Sequence, residues 1–297
     1  MTDDLRRRTG PSMKVMIVGA SGMLGSALYR YLATSDGLSV VGTLRSAGAA
    51  RDLPTLEGAR LLTGLDALNG DGLLQAVAEE RPDVVVNCVG IIKQLAAAED
   101  PLTSIAINAL LPHRLAALCG AVGARLIQIS TDCVFSGSRG NYREEDAPDA
   151  GDLYGRTKLL GEVDYPHAVT LRTSIIGHER GRAVSLIDWF LNQPGPVVRG
   201  YRRAIYTGLP TVELARVIRD VVIPRPELRG VWHVASDPIN KFELLRLVSR
   251  VYGKSIDIEP YDDVVIDRSL DGARFRSATG YVAPPWDELV AHMHAAR

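Results

Sequence analysis

The chain has 297 residues, long enough for two packed domains, and 46% are hydrophobic against 23% charged, a globular balance that excludes large-scale disorder. Its 34 Lys and Arg against 35 Asp and Glu leave a net charge of −1, which argues against a nucleic-acid or anionic-membrane binder, since either usually carries a basic excess. No run approaches eighteen uninterrupted apolar residues, so no transmembrane span is predicted. The three cysteines, Cys88, Cys119 and Cys133, read neither as a disulfide framework nor as a zinc site and suit a reducing cytoplasm.

From the N-terminus, Arg6-Arg7-Arg8 precede only the short apolar run Val15–Val18, so residues 1–12 are expected to be a flexible polar tail rather than a signal peptide. Strands are predicted at Lys14–Val18, Ser39–Leu44, Arg60–Leu62, Asp83–Val86 and Arg125–Ser130. Helices are predicted at Leu24–Leu32, Leu73–Glu80 and Leu102–Cys119, the last kinked or broken at Pro112. This alternation means βαβ units and a parallel sheet, an α/β protein. The loop Ser136–Asp152, rich in Gly, Asp and Glu, is expected to be mobile or substrate-covering. A helix at Leu153–Val163 and a strand at Val169–Thr173 close a first domain over residues 13–173. Helices at Val184–Leu191, Val212–Val222 and Phe242–Val251, with a strand at Val231–Val234, make residues 174–297 a smaller, irregular region, some of whose segments return to the sheet.

The first strand runs into Gly19-Ala20-Ser21-Gly22-Met23-Leu24-Gly25. In such a turn Gly19 permits the sharp bend, Gly22 lets backbone approach a pyrophosphate, and Gly25 lets the helix pack closely, while the helix N-terminus offers free N–H groups to the phosphates. Placed at the first strand-to-helix junction, the pattern indicates a dinucleotide and a doubly wound Rossmann sheet, although glycine for packing alone is the plainer reading of such a turn. An acidic residue ending the second strand would favour NAD; here stand Thr43-Leu44-Arg45-Ser46. Arg45 and Ser46, assisted by Thr43, suit a 2′-phosphate, so NADPH is expected and NADH is second; a solvated loop arginine is the bland alternative. Asp66 either contacts adenine or caps its own loop.

Tyr154 and Lys158 are four residues apart at the start of a helix, hence on one face. Lys158 and an oxidised nicotinamide would both favour the Tyr154 phenolate, and bringing a tyrosine from near pH 10 to near 7 takes roughly 4 kcal/mol. Thr131 follows the fifth strand, at the carboxyl edge where such sheets bind ligands, so its hydroxyl could donate to the same substrate oxygen.

These residues, with Asn87-Cys88-Val89-Gly90, Ile129–Gly137, Tyr154–Glu162, Leu171–Ser174, Gly208–Thr211 and Asp267–Asp271, make the chain similar to the extended short-chain dehydrogenase/reductases from about residue 13 onward. Within these it most resembles the sugar-nucleotide reductases of the dTDP-4-dehydrorhamnose type. The resemblance implies hydride transfer to a nucleotide-linked 4-keto-6-deoxy sugar, with Tyr154 protonating the carbonyl oxygen, Thr131 orienting it and Lys158 binding the nicotinamide ribose. It implies that Cys88, Val89 and Gly90 line the cofactor, that Ser174 and Ile175 lie near the nicotinamide, and that Asn108 supports either the helix or a proton path. The substrate would meet Lys93, Thr131, Cys133, Arg202 and Arg203, with Arg182 and Arg199 as further candidates for its diphosphate. A homodimer through the helices at Leu102–Cys119 and Leu153–Val163 is expected.

Where these reductases carry Tyr, this chain has Cys133. In the related GDP-fucose synthase a Cys at that offset works with a later His, and His178 stands in a similar place here. Cys133 and His178 therefore raise an epimerase or epimerase–reductase as the rival, against a small apolar Cys and a loop His. A non-catalytic NADP-binding subunit, like the regulatory subunit of methionine adenosyltransferase, is the rival from another class.

Overall fold

The computed structural model describes residues 12–92, 99–179 and 185–297. Lys93, Arg182 and the expected tail over residues 1–11 lie outside the described residues. The strands β1 (Met13–Val18), β2 (Leu38–Leu44), β3 (Ala59–Thr63), β4 (Val84–Asn87), β5 (Arg125–Thr131) and β6 (Ala168–Thr173) alternate with α1 (Met23–Ala33), α2 (Gly70–Glu80), α3 (Pro101–Ser104), α4 (Leu111–Val122) and α5 (Leu153–Leu160). Then come β7 (Ile175–Ile176), α6 (Leu186–Leu191), β8 (Val197–Tyr201), β9 (Ala204–Tyr206), β10 (Leu209–Pro210), α7 (Thr211–Val217) and β11 (Gly230–His233). The chain ends through β12 (Ile239–Asn240), α8 (Lys241–Tyr252), β13 (Asp257–Tyr261), β14 (Ile266–Asp267), α9 (Ala273–Thr279) and α10 (Trp286–Ala295).

Seven strands form one parallel sheet in the order β11-β6-β5-β4-β1-β2-β3. The direction of winding reverses between β1 and β4, opening a crevice at their carboxyl ends. Strand alternation explains the helical layers. Val15, Ile17, Val84 and Val86 pack with Leu24, Leu28 and Leu32 of α1 and with Leu214 and Val217 of α7 on one face. Met16, Val18 and Val85 pack with Leu73 and Val77 of α2 and with Leu111, Leu115 and Cys119 of α4 on the other. Successive side chains of a strand point to opposite faces, so a run such as Val84-Val85-Val86 serves both layers. A further core joins Ile176, Ile187, Phe190, Tyr206, Leu244, Val248 and Met293. The predicted strand near residue 231 does return to the sheet, beside β6.

Two expectations change. Helix α3, a π-helical segment at Ile105–Leu110 and α4 run on as one helix, Pro101–Val122, of 22 residues and mean hydropathy 1.5, long and apolar enough by those measures to cross a membrane. Ser104, Asn108, His113 and Arg114 interrupt its apolar run, which is why uninterrupted counting passed it by; its face at Leu111, Leu115, Ala116 and Cys119 is buried on the sheet. The helix does not break at Pro112, because the wider π turn just before it accommodates the missing N–H. The loop over 136–152, expected to be mobile, is pinned: Tyr142 stacks on Phe135, its hydroxyl accepts from the Gly137 and Arg139 amides, and Asp149 takes the Ser136 amide and hydroxyl.

Candidate active site

The glycine turn sits at the carboxyl end of β1. Gly19 has φ +87°, in the left-handed region, and a Cβ there would lie 2.6 Å from the Val89 side chain. A Cβ on Gly25 would lie 2.1 Å from the Gly19 carbonyl oxygen, so helix α1 packs on the turn itself rather than on the sheet. Gly22 differs, since a Cβ there would meet nothing closer than 3.5 Å. Its smallness is not demanded by the protein and leaves exposed backbone beside Ser21 and Met23. No side chain caps the α1 N-terminus and its first turn holds no acidic residue, so the terminal amides and the positive dipole end stay available to an anion. This cradle fits a dinucleotide pyrophosphate.

Other predicted cofactor residues divide. The Leu24 side chain is buried in the core, so only its amide can serve. Thr43 is buried and its hydroxyl accepts the Gly19 amide at 3.1 Å, which ties β2 to the turn and takes Thr43 away from a 2′-phosphate. Arg45 and Ser46 lie exposed just past β2. Asp66 accepts the Leu68 amide at 2.9 Å, the loop-capping alternative. Cys88-Val89-Gly90 follow β4 between the turn and Lys158: Val89 lies against Gly19, and a Cβ on Gly90 would come within 3.9 Å of the Lys158 amine. Burial pushes the Cys88 thiol up to about 12 against the pull of Lys158. Ser174 and Ile175 begin the segment after β6, and Met23 from the turn packs beside Gly177 of that segment.

Two helical glycines bring Tyr154 to the sheet edge. Asp152 caps α5 by accepting the Gly155 amide at 2.8 Å. A Cβ on Gly155 would sit 2.3 Å from the Cys133 carbonyl oxygen, and one on Gly161 would sit 1.9 Å from that of Asn108. Helix α5 is thereby wedged between the Thr131–Val134 turn and the π-helical segment. Thr131 (7% exposed) is hydrogen-bonded to Tyr154 and lies beside Asp132 and Cys133. Lys158 (8% exposed) donates to the Ile129 carbonyl at 2.7 Å. Burial lowers its pKa to about 8, opposed by the nearby Glu162 carboxylate and by Cys88.

Tyr154 goes the other way from the expected lowering. Burial pushes its phenol above the ordinary tyrosine range, and Cys133, Asp132 and Asp152 add to this, while the Thr131 hydrogen bond pulls it down. Asn108 is buried rather than on the helix surface: its amide exchanges two hydrogen bonds with the Ile91 backbone, at 2.9 and 3.1 Å, and reaches Thr157 at 3.3 Å.

Residues 13–295 match the profile of the family described as the RmlD substrate binding domain. The chain belongs to that family. Among its relatives are a dTDP-4-dehydrorhamnose reductase of Streptomyces griseus, 38% identical over 153 residues covering 51% of this chain and 44% of that protein. Another is the methionine adenosyltransferase 2 subunit beta of Bos taurus, 33% identical over 152 residues covering 51% of this chain and 42% of that protein. The chain thus spans less than half the length of these two relatives. A crystal structure of dTDP-4-dehydrorhamnose reductase from Bacillus anthracis in complex with NADP superposes with a TM-score of 0.77 at 21% identity, over 96% of this chain and 100% of that one.

Within this member of the RmlD family, two expected residues are already engaged. His178 has both ring nitrogens occupied, Nδ1 with Asp188 and Nε2 with the Tyr252 hydroxyl, each at 2.8 Å, so it does not offer the free imidazole an epimerase partner of Cys133 needs. Arg202 is forked onto Asp262 at the surface, which neutralises it as a diphosphate grip, while Arg203 is exposed beside it. Arg199 lies over the Tyr261 ring. Lys241, Tyr206 and Asp132, which the sequence reading did not single out, lie around Cys133 and Thr131. Lys241 alone carried a signal, a lysine at the first position of a capped helix, and that pattern is too common to read.

Proposed function

We propose that this chain is an NADPH-dependent reductase of the keto group in a nucleotide-linked 4-keto-6-deoxy sugar, with NADH as the second choice of cofactor. The observation that carries the reading is the meeting of the Thr131 and Tyr154 hydroxyls with the buried Lys158 at the edge of β5, one crevice away from an uncapped glycine turn. The name of the Streptomyces relative and the NADP held by the Bacillus structure support it. When bound, the cofactor supplies the hydride.

The protein residues do the rest. Tyr154, kept protonated by its surroundings, gives its proton to the carbonyl oxygen as charge develops there. Lys158 holds the nicotinamide ribose and supplies positive charge near the phenol. The amides of Ser21, Gly22, Met23 and Leu24 take the pyrophosphate, and Arg45 with Ser46 takes the 2′-phosphate. Cys88–Gly90, Ser174 and Ile175 line the ring, Cys133 faces the sugar, and Arg203 meets the diphosphate. Residues 13–173 are the cofactor-holding part and 174–297 mainly the sugar-holding part. Exposed Leu102, Ile105, Leu110 and Leu160 form an apolar surface on neighbouring helices, which favours a homodimer there.

A second reading, a non-catalytic subunit, is favoured by the bovine relative. The deciding experiment is NADPH oxidation against a panel of nucleotide 4-keto-6-deoxy sugars in heavy water, with products weighed by mass spectrometry. Turnover adding only the C4 hydride is expected. Ring deuteration lost in Cys133→Ser would make it an epimerase–reductase. Silence across the panel with NADPH bound, and capture of a stoichiometric enzyme partner, would move it to the subunit class.

A further inference from the structure

Thr131 has one hydroxyl proton, and the structure shows where it goes. Thr131 Oγ1 donates to Asp132 Oδ1 at 3.1 Å and accepts the Cys133 amide at 3.1 Å. With its proton on Asp132, Thr131 can only accept from Tyr154, which is a different role from donating to the substrate. The orientation of the Thr131–Tyr154 pair therefore depends on the Asp132 carboxylate, which is itself 5% exposed. A buried carboxylate needs a compensating charge.

The charges facing Asp132 come from two elements. Arg268, just beyond β14, spends its Nε on the Phe135 carbonyl at 2.9 Å. Lys241 is the first residue of α8, where Asn240 caps the helix on the Glu243 amide at 2.8 Å. The antiparallel register of β12 on β9 pairs Ile239 with Tyr206, two residues before Lys241, and the Lys241 ammonium lies 3.7 Å from the Tyr206 ring centroid. The Tyr206 ring thus holds the ammonium toward Asp132 and Cys133, the two charges that favour its cationic form against burial. Tyr206 is 3% exposed, and its hydroxyl is the buried side-chain polar atom without a partner among the described residues. Keeping an unsatisfied hydroxyl there is costly, so the ring is retained for another job, and carrying Lys241 is that job.

We propose that Lys241 is a positioning residue that balances the Asp132 carboxylate, so that Asp132 holds Thr131 by its single proton and turns the Thr131 oxygen to the Tyr154 hydroxyl. This rests on the reading of Tyr154 as the proton donor, and it adds a residue from the C-terminal half to a cluster otherwise drawn from the sheet edge.

The test compares Lys241→Met, which keeps the stem over Tyr206 but loses the charge, with Lys241→Arg, which keeps the charge. Two readouts are needed. The first is kcat and KM for the sugar that the wild type reduces. The second is the titration of Asp132, followed by carbon-13 NMR with labelled aspartate and assigned with Asp132→Asn. Removing a facing cation should raise the Asp132 pKa in Lys241→Met by about one unit or more. Its kcat should fall roughly 10- to 100-fold with KM for NADPH unchanged, and Lys241→Arg should recover most of the rate. An Asp132 titration unmoved in folded, NADPH-binding Lys241→Met overturns the positioning role, whatever Tyr154 does. If Asp132 shifts but Tyr154→Phe still turns over at the wild-type rate, the proton-donor reading falls and the pairing of Lys241 with Asp132 stands without a catalytic purpose.

Discussion

The turn over Gly19–Gly25 and the cluster around Thr131 meet at one sheet edge, yet they are built in opposite ways. The turn is contiguous, and each glycine answers to a neighbour a few residues away or to the ligand itself. The cluster is drawn from β5, α5, β9 and α8, and its charges matter because burial has stripped them of water. A local device tolerates change outside itself. An assembled one depends on the packing of every segment that supplies it, and the expected effects of mutation separate along that line.

The largest effect belongs to the cluster. Tyr154→Phe should cut kcat by roughly 10²–10⁴-fold, the usual worth of general acid catalysis, while NADPH affinity measured by fluorescence titration stays near wild type. Wild-type turnover in that variant would remove the chemistry from the cluster altogether. In the turn the contrast is between two glycines. Gly25→Ala places a methyl 2.1 Å from a backbone oxygen and should cost about 3 kcal/mol in denaturant unfolding. Gly22→Ala has room in the protein and should change stability by less than about 1 kcal/mol, yet weaken NADPH roughly tenfold. Equal stability losses in the two would mean that Gly22 serves packing rather than a ligand.

The pH dependence sharpens the electrostatic side. Lys158 and Lys241 are both lowered to about 8 by burial, so each carries its charge below that pH and loses it above. Tyr154, raised rather than lowered, stays protonated across this range and does not set the limb. The kcat/KM of the free enzyme should therefore fall as pH rises through about 8. A guanidinium keeps its charge there, so in Lys241→Arg the limb that remains is that of Lys158 alone. A profile flat to pH 9 would show that neither ammonium is needed. The smallest effect is expected from Tyr206→Phe, which keeps the ring beneath Lys241 and removes the unpartnered hydroxyl: thermal unfolding should be unchanged or raised by the equivalent of about 1 kcal/mol. A clear loss of stability would mean that the hydroxyl has a partner in solution.

Much of the sheet was legible because its strands are short apolar runs bounded by turn residues, as in Val84-Val85-Val86 after Pro82. The segments after residue 174 were less so. Strands β8 and β13 pair in parallel although nearly sixty residues separate them, and no local pattern announces such a partner. Helices α9 and α10 went unread for lack of a long apolar stripe. Within the site, Thr131, Tyr154 and Lys158 were readable from type, spacing and place, while Thr43, Asp66 and His178 were misjudged because a polar side chain near a cleft looks the same whether it serves a ligand or its own backbone. Here Thr43 holds Gly19, Asp66 holds Leu68, and His178 bridges Asp188 and Tyr252.

By itself the sequence determined the alternation of strand and helix, the glycine turn and the facing pair of Tyr154 and Lys158, because these follow from backbone sterics and from periods of two and 3.6 residues. Only the tertiary structure decided which charges face one another and how dry they are. Desolvation depends on every segment that closes over a group, so the raised phenol of Tyr154, the lowered amine of Lys158 and the approach of Lys241 to Asp132 exist only once β9, α5 and α8 have packed against the end of β5.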